Sequence, residues 1–236
     1  MFKYFCYGAL IVTAFVIVNS IIGDLYFRSV YSFPQVTETV TYLPDPTQNP
    51  IQINLRNANF IKYQGEKKSH ILKPVAEYSI NGYVVALNSN LWLRDLMRND
   101  FDDMALLDIG LTWGDLSDPK VIKKYNLTFK SRKTLGSARA LIYRYANAND
   151  GNYIRSHTSH THLIPANANV MGALLKIKKY QNVRLDGYLV DTYTEDFSVL
   201  TRTSMSRNDK NATSRGNGAC EVLYVTAVQI GYDIYR

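Results

Sequence analysis

The hydrophobic pattern of the chain opens as a solid block and then turns into alternation. Residues Tyr4 to Gly23 carry no charged side chain, with Lys3 before the run and Asp24 directly after it. At 1.5 Å per residue, about 20 apolar residues cross a hydrocarbon core of roughly 30 Å, so the run predicts a membrane-spanning helix within residues 1–24. Further along, apolar residues recur at every second position. Val183, Leu185, Gly187 and Leu189 share one face of an extended segment, and Arg184, Asp186, Tyr188 and Val190 share the other. Residues 221–230 are apolar on both faces, as a covered central strand would be. Further strands are predicted at 52–55, 60–63, 78–87, 109–113, 138–145 and 197–203.

Two short helices interrupt the strands. Ser117 or Asp118 can cap the first, Pro119 suits its first turn, and Val121, Ile122 and Tyr125 face inward. In the second, Val170, Leu174 and Ile177 fall at helical spacing behind Asn167 or Asn169 as cap. The resulting fold class is α+β to mainly β: a curled antiparallel sheet or small barrel with two short helices, preceded by a transmembrane helix. Residues 25–50, with Pro34, Pro44, Pro46 and Pro50, are expected as an extended stalk, and 51–236 as one globular domain. The polar stretches 146–152 and 206–218 are expected as surface loops.

Charge refines the address. Lys3 is the only basic side chain before the span, which keeps the amino terminus cytoplasmic and puts the domain outside. Processing after Ser20, which would release a secreted form, is the alternative, but Val18 is bulky for a small-x-small cleavage site. A net charge of +7 invites a nucleic-acid reading. The basic residues are scattered among acids, and the densest cluster, Lys176, Lys178, Lys179 and Arg184, has no interleaved aromatics, so nucleic acid is not the expected partner. Cys6 lies inside the span and Cys220 is the single thiol of the soluble part, which leaves no internal disulfide to form.

Three of the four histidines, His157, His160 and His162, fall within six residues. On an extended segment His160 and His162 project from one face and can share Zn²⁺ or Cu²⁺, with Cys220, Glu221 or Asp191 as further ligands. The competing expectation, which carries no cofactor, has His162 hydrogen-bonded within the fold and the other two exposed in a loop. Cys220 with His162 as its base, and Glu221 beside them, forms a candidate thiol site of an envelope hydrolase. A small buried side chain is the commoner fate of a single cysteine. Asp100, Asp102, Asp103 and Asp108 lack the spacing of a calcium loop and are expected as solvated acids.

Several segments together carry a resemblance: Asp108-Ile109-Gly110-Leu111-Thr112-Trp113-Gly114, His162-Leu163-Ile164-Pro165-Ala166-Asn167, Val183-Arg184-Leu185 with Gly187 and Leu189-Val190, and Gly218-Ala219-Cys220-Glu221. Residues 78–230 resemble a family of uncharacterised bacterial membrane-anchored envelope proteins with Trp-Gly, His-Leu-Ile-Pro-Ala and Gly-Ala-Cys-Glu motifs. His162 and Cys220 match that pattern, whereas His160 stands where an asparagine-like residue is expected. The resemblance implies a bacterial inner-membrane protein, single-pass, with its C-terminal domain in the periplasm, and implies no activity.

The leading functional expectation is a non-enzymatic binding or assembly component of the envelope, held in the membrane by residues 4–23 and partnered by another envelope protein. One alternative is the envelope hydrolase or metal-dependent enzyme using His162 and Cys220. A second is an OB-like barrel for oligonucleotide or oligosaccharide, which would need an aromatic and basic face from residues such as Tyr188, Tyr193, Arg202 and Arg207.

Overall fold

Five strands of the domain, at residues 69–89, 107–112, 158–165, 221–230 and 182–194, close on one another in that order and back to the first. The computed structural model describes residues 14–15, 17–18, 21–23, 25–89, 100–105, 107–133, 139–146, 148–206 and 220–236. In chain order the strands are β1 (Glu38–Thr39), β2 (Ile51–Asn54), β3 (Ile61–Gln64), β4 (Ser69–Ser89), β5 (Leu107–Thr112), β6 (Thr128–Lys133), β7 (Arg139–Arg144), β8 (Thr158–Pro165), β9 (Asn182–Thr194), β10 (Val199–Thr201), β11 (Glu221–Ile230) and β12 (Asp233–Tyr235). Three α-helices are described between them: α1 (Pro119–Lys124), α2 (Gly151–Ser156) and α3 (Ala168–Lys176). A ring of strands with few short helices is the sheet-rich α+β class expected from the alternation. One ring joint departs from the antiparallel expectation, because β8 and β11 run parallel.

Alternation dictates how the ring is filled. Ile80, Ile109, Leu111, Leu163, Leu185, Leu189, Leu223 and Val225 point inward and are fully or almost fully buried. Val170, Met171, Ala173 and Leu174 of α3 join the same core. The 21-residue β4 can serve both β9 and β5 because its ladders shift register at 74–76 and 84–86, and such bulges bend a strand. Pro74 falls at the first of these shifts, where a missing N–H is tolerated. Closure between β9 and β11 depends on Gly187, since a Cβ there would overlap the Tyr224 carbonyl oxygen.

Both predicted helix starts hold. Asp118 accepts from the Lys120 N–H at 2.8 Å ahead of Pro119, and Asn167 accepts from the Val170 N–H at 2.9 Å. Lys176, Lys178 and Lys179 are exposed, as a solvated face requires. The stretch expected as a loop at 146–152 instead enters α2, and the polar segment expected as a loop at 206–218 lies almost wholly outside the described residues.

Residues 31–50, with turns or bends at 31–32, 41–42 and 46–48, run along the domain. The Gln35 N–H donates to Asn169, β1 pairs with β12, the Gly114 N–H donates to the Pro46 carbonyl at 2.9 Å, and the Trp113 indole donates to Asn49 at 3.2 Å. Phe27 is buried beside Tyr31 against the α3 end of the core. Among the described residues no helix is long and apolar enough to cross a membrane. The expected span at 4–23 lies mostly outside them, and residues 14–15, 17–18, 21–23 and 25–30 are helical.

Candidate functional site

The segment Thr158-Ser159-His160-Thr161-His162 has almost no apolar residue, yet every position of β8 is buried. Its two faces meet different surroundings. Inward, Ser159 donates to Glu221 at 2.7 Å and lies 2.7 Å from the Thr161 hydroxyl, so a polar set fills the end of the ring where β11 begins. Outward, His160 and His162 stand two residues apart with ring centroids 4.8 Å apart.

Strand register supplies the neighbours. Asp108 of β5 lies directly opposite His162, and the His162 Nδ1 is 2.7 Å from Asp108 Oδ1. The parallel ladder places Glu221 beside Thr161 and Val222 beside His162, so one residue earlier Cys220 comes level with His160. Its Sγ lies 3.2 Å from His160 Nδ1. His160 Nε2 in turn is 4.0 Å from Asp108 Oδ2. One donor atom from each of His160, His162 and Cys220 lies within 4.8 Å of the others.

A short segment roofs this outer face. Phe101 meets the His162 ring edge-on at 5.2 Å, and Met104 and Ala105 pack with Leu72, Ile164, Val190 and Val222. The roof is held by Asp103, whose carboxylate accepts from the Lys67 and Lys68 N–H groups at 2.9 and 3.1 Å and pairs with His70 Nε2 at 3.0 Å. Burial also pushes the Tyr63 hydroxyl, in the same outer core, well above the ordinary tyrosine value, and Tyr224 beside it is raised for the same reason.

Several expectations change on these distances. His160 is buried beside Cys220, so it is not exposed in a loop, and it rather than His162 is the histidine at hydrogen-bond distance from the thiol. Glu221 points to the opposite side of its strand from Cys220 and binds Ser159, so the three do not form one cluster. Asp102, Asp103 and Asp108 are buried rather than solvated. Asp191 accepts from the Thr203 N–H and is not one of the grouped donors. His157 packs on Tyr153 and Trp113 outside the cluster. Tyr188 packs into the outer core and Arg207 lies outside the described residues. Sequence reasoning missed Asp108 as a partner of His162 and the roof over both. The signal that could have found the first was the single acid leading the 107–112 strand. Comparison with models of protein families, with curated proteins and with solved structures finds no match.

Proposed function

We propose that the chain is a single-pass bacterial envelope protein whose periplasmic domain works by binding another envelope protein. Numbered in chain order as β4, β5, β8, β9 and β11, the ring strands have the third and fifth parallel and a helix between the third and fourth, as expected of OB-like barrels, whose usual ligand surface is the outer face of the second and third strands. Here that face is β5 and β8. Asp108, His160 and His162 are buried on it under residues 100–105, which weighs against that face as a track for an oligonucleotide or a sugar chain.

The observation that carries the protein-binding reading is β2. Among the described residues it pairs only with β4, and its Ile51 and Ile53 are 62% and 56% exposed along a groove of about 340 Å³ shared with Tyr188 and Asp186. An open strand edge with two exposed isoleucines is a template for strand addition by a partner. The apolar run at 4–23 supports a membrane tether that would hold such a domain near envelope partners.

The test is a photo-crosslinking residue at Ile53 of the tagged full chain in native membranes, with the same residue at Asp196 as control. A discrete adduct from position 53, absent from position 196 and lost on Ile51→Lys, supports the reading. Adducts of equal pattern from both positions, or none from 53, overturn it.

A further inference from the structure

The outer-face cluster has a chemistry that partner binding does not use. We propose that His160, His162 and Cys220 form a site for a zinc-class transition-metal ion, with Asp108 as the carboxylate that orients His162.

The donor set comes first. Two imidazoles and a thiolate are the ligands that borderline and soft divalent ions select over calcium or magnesium. Their donor atoms already lie within 4.8 Å of one another. With Zn–S of about 2.3 Å and Zn–N of about 2.0–2.1 Å, the edges of a tetrahedral site measure roughly 3.3–3.6 Å. The contact from Cys220 Sγ to His160 Nδ1, at 3.2 Å, is already near that edge length. The remaining edges would shorten by side-chain rotation.

Tautomers come second. His162 donates its Nδ1 proton to Asp108 at 2.7 Å, which leaves the lone pair on Nε2. A carboxylate on the far nitrogen is the usual support of a metal-bound histidine. His160 presents Nδ1 to the thiol while its Nε2 faces the other oxygen of the same carboxylate at 4.0 Å. Asp108 therefore sets the His162 ring, and one donor atom from each histidine lies within 4.8 Å of the other and of the thiol.

A cysteine–histidine nucleophile accounts for less of this. Such a pair needs one histidine beside the thiol, and it gives no role to a second imidazole tied to a carboxylate. Three converging donors make the second histidine necessary. On binding, the Cys220 thiol gives up its proton to solvent and becomes the thiolate ligand, with no change of oxidation state.

The site is independent of the β2 edge, so its test needs no partner. The full chain in detergent is loaded with zinc alone, dialysed, and its zinc content measured. One equivalent per chain is expected, falling to background in Cys220→Ser and in His162→Ala, and unchanged in His157→Gln. Cobalt substitution of the unaltered chain is expected to give a thiolate-to-metal charge-transfer band, a readout that requires no variant to fold. Zinc content at background in the unaltered chain, or equal retention in all variants, or a cobalt spectrum without the thiolate band, overturns the inference. A chain that crosslinks through position 53 and holds no zinc fails here alone. A chain that holds zinc and does not crosslink fails the partner reading alone.

Discussion

His162 and Asp108 face each other across the β5–β8 ladder with 2.7 Å between ring nitrogen and carboxylate oxygen, and both are buried. A charge-assisted hydrogen bond of this length fixes which ring nitrogen carries the proton. Replacing Asp108 by Asn keeps the shape and removes the charge. Zinc affinity is expected to fall by about 10–100-fold, since the ligands remain and only their orientation and basicity suffer. Competition with a chelator of known affinity measures it, and an unchanged affinity would show that the acid serves the fold alone.

Ring closure gives a second expectation. At Gly187 a side chain would meet the Tyr224 backbone, which cannot rotate away. Gly187→Ala should cost about 1–3 kcal/mol through overpacking at the β9–β11 joint. Gly231 offers a control of different origin, because a Cβ there meets nothing within 4 Å and only its φ of +61° resists substitution. Its cost should be about 1–2 kcal/mol, from the left-handed backbone alone. Urea unfolding midpoints compare the two, and only Gly187→Ala should perturb amide exchange in β9 and β11.

The roof over the histidines hangs on Asp103. Asp103→Ala would leave the buried His70 without its carboxylate and take the acceptor from the part-buried N–H groups of Lys67 and Lys68, and should cost about 1–3 kcal/mol. Residues 100–105 should then lose protection against hydrogen exchange before β4 or β9 does. Equal protection in the variant would mean that Phe101 and Met104 hold the roof by packing alone.

Tyr63 makes stability depend on alkaline pH. Its hydroxyl, pushed up chiefly by burial, stays protonated in the folded chain where an unfolded tyrosine ionises near pH 10. Above that pH the unfolded state binds fewer protons than the folded one, so stability present at lower pH is lost as pH rises. Thermal unfolding at about pH 9 and about pH 11 should show a smaller loss in Tyr63→Phe than in the unaltered chain. The same loss in both would assign the effect to other groups.

The strands that alternate were legible in the sequence, and the one that carries the site was not. Residues 221–230 coincide with β11, and the 183–190 alternation falls inside β9. β8 escaped because its outward face is His160 and His162 and its inward face is Ser159 and Thr161, so neither face offers the apolar period by which strands are recognised. Its burial is satisfied by Asp108 on one side and Glu221 on the other, residues about 50 and 60 positions away whose nearness only the ring creates. Both helix caps were readable because a cap is local chemistry. That β8 and β11 are parallel was not, since it depends on the path of the 55 residues between them.

The parallel joint also fixes when the cluster can exist. His160 and His162 are synthesised together, but Cys220 arrives at the head of the last strand of the ring, and it reaches them only when β11 has been seated between β8 and β9. An ion bound through all three donors would therefore act as a latch on the closing strand, and its presence in a chain would certify that the ring had been completed.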